Sequence, residues 1–284
     1  MNDSDMPTAK RREKFVKTIA VASGKGGVGK SNVVANLAIA LSKLKNKVLV
    51  FDADLGLHNI DILLNLKRKY DISHVLLGDY TLKEILIDGP EGIMILPASE
   101  GVQEMTTLDE FQKLNLIEAF DDFENDVDIL LIDTAAGISD NVAFFCIAAQ
   151  QIIIVCSPEP TSIMDAYGLI KVLSSNYQEM KFQVLVNSAK NETHAMNVFK
   201  NLSKVTWSFL SISLDYLGYL PFDEAVRKAV MIQKPFVLSF PESKAAEKIN
   251  ELAKIIDSQN VINLKGGIQI FIRKLLNAGQ KVPS

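Results

Sequence analysis

Short apolar runs rich in β-branched residues recur along the chain, at 16–22, 47–51, 93–96, 127–132, 151–155, 182–186 and 214–220. Between them, at 31–45, 109–120, 140–149, 163–173, 194–202, 223–230 and 242–256, apolar positions return with helical spacing. Runs that are apolar at nearly every position belong to strands buried on both faces. Strands alternating with helices are joined by βαβ crossovers into a parallel sheet. The pattern predicts a single doubly wound α/β domain over 16–260, with a mostly parallel sheet flanked by helices. No internal repeat and no Pro/Gly/Ser linker divides it. After residue 256 the rhythm ends, and Gly266-Gly267 precedes one further amphipathic piece.

Composition narrows the function classes without choosing one. The 284 residues are 48% hydrophobic and 23% charged, which excludes disorder and low complexity for the bulk of the chain. A formal net charge of −4 argues against coating nucleic acid. Cys146 and Cys156 lie in apolar stretches and form no CxxC pair, so they read as small hydrophobes in a reduced cytosol. His58, His74 and His194 are isolated, and nothing has metal-ligand spacing. No apolar run reaches the length of a membrane span, and residues 1–15 have no apolar core for export, so the expected location is cytoplasmic. Those first residues form a polar tail with a basic knot at Lys10, Arg11, Arg12 and Lys14. It reads either as a solvated tail or as a partner- or lipid-binding arm.

Chemistry enters at Gly24-Lys25-Gly26-Gly27-Val28-Gly29-Lys30-Ser31, a complete GxxxxGK[ST] phosphate loop with a strand before it and a helix after it. Its glycines let successive backbone N–H groups turn toward phosphate oxygens, aided by the positive end of the helix dipole. Lys30 is expected to reach the β- and γ-phosphates, and the Ser31 hydroxyl to ligate Mg²⁺. Two further elements fall where such a sheet places ligands, past the carboxyl ends of strands. The run at 47–51 leads into Asp52-Ala53-Asp54, whose alternate spacing points both acids one way, toward metal and attacking water. The run at 127–132 leads into Asp133-Thr134-Ala135-Ala136-Gly137. There Asp133 is placed to hold Mg²⁺, and Gly137 leaves room near the γ-phosphate. Asn187 follows the run at 182–186, and its side-chain amide can both donate to and accept from an adenine edge. The GTP-selective NKxD pattern is missing, which favours ATP.

Near the C-terminus, Ile268, Phe271, Ile272, Leu275 and Leu276 form one helical stripe over 267–277, while Arg273 and Lys274 lie off it. Residues 261–284 carry four bases and no acid. One reading is a helix docked on the core. The other, favoured by the glycine hinge and basic polar face, is a helix lying on an anionic membrane. So short an apolar face binds weakly alone, and two copies on a dimer bind by avidity.

The loop GKGGVGKS resembles the deviant phosphate loop of the MinD/ParA family of dimeric ATPases. The stretches at 51–64 (FDADLGLHNIDILL), 130–142 (LLIDTAAGISDNV), 158–173 (PEPTSIMDAYGLIKVL) and 217–230 (LGYLPFDEAVRKAV) resemble its FlhG/FleN (YlxH) type, which sets flagellar number and placement. The resemblance implies a homodimer closed by ATP and reset by slow hydrolysis to ADP. It further implies that Lys25 acts across the dimer on the partner's nucleotide, that Asp54 positions the hydrolytic water, and that Asp52 is an outer partner of magnesium. Asn187 and Pro221 would lie beside the adenine. The expected attachment to the inner face of the membrane through 267–277 would follow the nucleotide state. The implied partners are a FlhF-type GTPase, switch-complex components of the C-ring or a flagellar transcription regulator, with no specific nucleic acid. A division-site regulator of MinD type and a DNA-partition ATPase of ParA type are the alternatives. Two departures stand out. Ala135 replaces the glycine of the usual DTGAG, and residues 1–15 lack the DQAxxLR-like element that stimulates FlhF in many relatives.

Overall fold

The computed structural model describes residues 16–54, 59–97, 115, 118–120 and 126–259. The N-terminal tail and the segment 261–284, including 267–277, lie outside them. Of the helix expected at 109–120, residues 115 and 118–120 are described, and these are helical.

Among the described residues eight strands form one sheet: β1 (Lys17–Ser23), β2 (Val48–Ala53), β3 (Ile87–Asp88), β4 (Met94–Pro97), β5 (Ile129–Ala136), β6 (Gln151–Cys156), β7 (Gln183–Ala189) and β8 (Asp215–Pro221). Their spatial order is β3-β4-β2-β5-β1-β6-β7-β8. All neighbours are parallel except β3, which pairs antiparallel with β4 at the edge. Side chains alternate between two apolar layers: Ile19 and Val21 of β1 face one, Ala20 and Ala22 the other.

Helices cover both layers. On one side lie α1 (Lys30–Lys43), α2 (Asn59–Leu63), α8 (Glu224–Met231), α9 (Phe236–Ser239) and α10 (Lys244–Ser258). On the other lie α3 (Ile72–Leu76), α4 (Leu82–Ile85), α5 (Asp140–Ala148), α6 (Pro160–Tyr177) and α7 (Glu192–Leu210). Local chemistry sets their starts. Asn191, Asp223 and Ser243 each accept a backbone N–H at the first turn of α7, α8 and α10, and Pro160 opens α6. Helix α1 is apolar almost all round because it lies in the packed layer beneath α10, with residues from Val33 through Leu41 buried.

Two features bear directly on the site. Strand β1 lies between β5 and β6; the chain leaves it toward β2, whereas β5 crosses in the other direction to β6, and this reversal opens a crevice at the carboxyl ends of β1 and β5. At its other end, Lys17 Nζ donates to the carbonyls of Ile256 (2.6 Å) and Gln259 (2.8 Å), fastening the end of α10 under the sheet.

Candidate nucleotide site

The loop between β1 and α1 owes its shape to its glycines. Gly27 and Gly29 sit at φ 79° and 85°, backbone conformations that side chains resist. At Gly24 a methyl group would come within 2.0 Å of the Asp165 carbonyl oxygen, so the loop passes flush against α6. Val28 is buried and anchors the loop in the core, whereas Gly26 and Gly27 are exposed. The unpaired N–H groups at the start of α1 face the same opening and give it a positive end.

Beneath the loop lies a buried charge cluster. Lys30 Nζ is 2.5 Å from Asp133 Oδ1, with the two side chains 6% and 0% exposed. Asp133 on β5 and Asp52 on β2 are direct register partners, so two acids stand side by side out of water. Burial pushes the Asp133 carboxyl up, opposed by Lys30 and then Ser31. Asp52 is pushed up to about 7, first by burial and then by Asp133, although the backbone N–H groups of Ile60 and Asp54 donate to it.

These residues fit a divalent cation. Asp133 Oδ2 is buried with no hydrogen-bond partner, and Ser31 lies close enough to influence the same carboxyl. Among the described residues no cluster of three or more His, Cys, Asp or Glu side chains could hold a metal alone. That suits Mg²⁺, which takes one or two protein oxygens and completes its shell with phosphates and water.

The strained pair predicts a pH effect on the nucleotide-free protein. An acid with pKa 3.8 when unfolded and about 7 when folded retains an extra proton in the fold over that interval. Its contribution is therefore full below about pH 4 and lost as pH rises through 7. Asp52→Asn keeps a neutral side chain with one acceptor at every pH. It is expected to raise the Tm by about 3–6 °C at pH 8 and to change it little at pH 4. Equal shifts at both pH values in thermal melts without Mg²⁺ refute the assignment.

The remaining candidates converge on the same edge, with three corrections, at Asp52, Asp133 and Asn187. Asp52 and Asp133 were expected past the strand ends, but both lie within strands. Strand β5 continues to Ala136, keeping its pairing to β1 through a register shift that matches Ser23 with Ala136. Only Asp54 follows its strand, and its Oδ2 accepts from Asn59 Nδ2 at 3.2 Å. Gly137 has φ 103° and donates its N–H to the Ser23 carbonyl, closing the β5 end onto the loop. Asn187 lies inside β7 and donates to the Val28 carbonyl at 2.7 Å, while its Oδ1 accepts from Ser188 N. Among the described residues, one N–H and one lone pair of that amide have no hydrogen-bond partner. Pro221 ends β8 opposite Ala189. Lys25 does not point into the loop. Its Nζ lies 2.6 Å from Glu159 Oε2 and donates to Thr161 Oγ1 at 2.9 Å.

Residues 19–236 match the CobQ/CobB/MinD/ParA nucleotide binding domain family. The chain belongs to this family. It is 44% identical over 262 residues to the antiactivator FleN of Pseudomonas aeruginosa, covering 92% of this chain and 94% of that one. It is 31% identical over 265 residues to the flagellum site-determining protein YlxH of Helicobacter pylori, covering 92% and 90%. The structure of septum site-determining protein MinD with Mg-ADP from Pyrococcus horikoshii superposes with a TM-score of 0.67 at 26% identity, covering 86% and 97%.

Within this MinD/ParA member, sequence reasoning missed Glu159 and Thr161, the in-chain partners of Lys25, and Asn59, the partner of Asp54. Glu159 is visible only as an acid before a Pro-initiated helix. Asn59 was legible as an amide five positions after Asp54, but nothing along the chain aims it back. No helix among the described residues is long and apolar enough to cross a membrane.

Proposed function

We propose that this protein is a Mg²⁺-dependent ATPase of the MinD kind that acts as a dimerising switch in flagellar number and placement. The buried Lys30–Asp133 pair beneath the phosphate loop carries the proposal, because it sets a cation and a carboxylate beside the N-terminal N–H groups of α1. On ATP binding Lys30 turns from Asp133 to the β- and γ-phosphates. Ser31 and Asp133, with Asp52 beside it, would hold Mg²⁺, which supplies charge neutralisation on those phosphates. Asp54 orients the attacking water, and Gly137 admits the γ-phosphate. The open N–H and lone pair of Asn187 read the adenine edge, with Pro221 beside the base.

Lys25, on the open rim, serves the nucleotide of a second copy, so hydrolysis requires a homodimer and is slow. Two copies of 267–277 then bind the anionic inner face of the membrane by avidity, and hydrolysis to ADP releases them into the cytoplasm. The likeness to proteins called FleN and YlxH supports flagellar assembly as the setting. The partners would be a FlhF-type GTPase, C-ring switch components or a flagellar transcription regulator.

Co-sedimentation with anionic liposomes tests the switch. Binding is expected with a nonhydrolysable ATP analogue, roughly tenfold weaker with ADP, and absent from a chain ending at Lys265. Attachment indifferent to nucleotide, or unchanged by truncation, refutes it.

A further inference from the structure

Helix α2 begins five residues beyond Asp54, and its first turn bonds to both acids of the site. Asn59 Nδ2 donates to Asp54 Oδ2 at 3.2 Å, and Ile60 N donates to Asp52 Oδ2 at 3.3 Å. The helix is itself fixed. Ile60 is fully buried, Leu64 N and Leu66 N close its end on the carbonyls of Ile60 and Asp61, and Gln233 Nε2 donates to the Ile62 carbonyl.

Asp54, by contrast, follows the last residue of β2 and is only partly buried. A carboxylate in that position has free rotation about its side-chain bonds unless something holds one oxygen. An ionised carboxylate only accepts hydrogen bonds, so the Asn59 group facing it must be the NH₂. Among the described residues no hydrogen bond reaches Asp54 Oδ1. One oxygen is therefore held, and the other is available to a water.

We propose that Asn59 is a positioning residue for hydrolysis, holding the Asp54 carboxylate so that its second oxygen aligns the attacking water. This rests on the reading of Asp54 as the water-orienting group. Positioning acts on the chemical step: a carboxylate that wanders by about 1 Å costs on the order of 10²-fold in rate while leaving the phosphate contacts intact. Among the described residues Asn59 makes no hydrogen bond to the phosphate loop, and its amide goes to Asp54, so the defect belongs in kcat and not in nucleotide affinity.

The test compares full-length Asn59→Leu, Asn59→Gln and Asp54→Ala with the unsubstituted protein. It uses steady-state ATPase assays with Mg²⁺ and affinity for a fluorescent nonhydrolysable ATP analogue. Asp54→Ala is expected to bind the analogue and not hydrolyse ATP. Asn59→Leu, of similar size without the donor, is expected to lose roughly 30- to 100-fold in kcat, with KM and analogue affinity within about twofold. Asn59→Gln, which keeps an amide donor, is expected to recover at least about a tenth of the lost rate. Thermal melts identify a variant that fails to fold. In that event Asn59→Ala, which also lacks the donor, takes the place of Asn59→Leu with the same expectation. If Asp54→Ala hydrolyses normally, the reading of Asp54 fails. If Asp54→Ala is inactive but Asn59→Leu keeps its kcat, or loses affinity and rate together, the positioning role is overturned and the Asp54 reading stands. Equal kcat for the Gln and Leu variants overturns it as well.

Discussion

Lys30→Ala is expected to abolish hydrolysis, by roughly 10³-fold or more, and also to lower the stability of the nucleotide-free protein by about 3–5 kcal/mol. The second effect separates this lysine from a simple ligand contact. Asp133 is fully buried, shares the space with Asp52, and has Lys30 as its ion-pair partner at 2.5 Å. Removing the ammonium leaves a carboxylate that must either stay charged in a dry site or take up a proton far above its ordinary pKa. The loss should therefore be large at pH 8 and smaller at pH 5, where protonation relieves it. Adding Asp133→Asn removes the orphaned charge and is expected to recover most of the stability and none of the activity. Urea unfolding of the two single variants and the double variant closes the cycle. A Lys30→Ala protein as stable as the parent at pH 8 excludes the buried pair as a stabilising unit.

Two separately inactive proteins are expected to regain activity when mixed. On the proposed reading, Lys25→Ala lacks a lysine that crosses the dimer, and Asp54→Ala lacks the acid that orients the water. In a mixed dimer, the site on the Lys25→Ala copy keeps its own Asp54 and receives Lys25 from the other copy. The second site has neither group. Equal mixing makes half of the dimers mixed, and each has one working site in two, so the mixture should show about a quarter of the parental rate. A lysine acting within its own chain gives a different result, because both sites of the mixed dimer are then incomplete and no activity returns. The in-chain pairing of Lys25 with Glu159 and Thr161 sharpens the test, since the lysine must leave both partners before it can reach across. Assays over a range of protein concentrations should show the rate per subunit rising as dimers form.

Much of this site was legible before any coordinates, for physical reasons that can be named. A phosphate loop is encoded locally: glycines at backbone-strained positions, a lysine and a hydroxyl at fixed offsets, and a strand and helix on either side. Strands buried on both faces announce themselves by unbroken apolar runs, so seven of the eight strands could be read. The two-residue β3 is too short to carry a period. Short helices α2, α3 and α4 were hidden for a similar reason, each being at most five residues long. Asp52 and Asp133 were recognisable as acids placed near the phosphate loop, where the fold does set them side by side. Their place inside the strands was not, because continuation of β5 to Ala136 depends on pairing with β1, more than a hundred residues away. The same holds for the contacts of Lys25, Asp54 and Asn187. Each is a polar group meeting a partner that the fold delivers, and no spacing rule along the chain records such a meeting.

The fastening of α10 by Lys17 bears on how a nucleotide signal travels. Gln259, the last described residue, accepts from the side-chain amides of Gln151 and Gln183 at the opening residues of β6 and β7. The chain therefore heads toward its terminal segment from the sheet edge opposite the phosphate loop, with the seven residues of β1, about 23 Å, in between. That central strand is packed on both faces and makes a poor piston. Helix α1, which starts at the phosphate loop and packs beneath α10, is buried from Val33 through Leu41 and is held as firmly as the strand. On the proposed reading, control of attachment would then lie in stoichiometry: the surface would count how many copies arrive joined together, and the shape of each copy need not change.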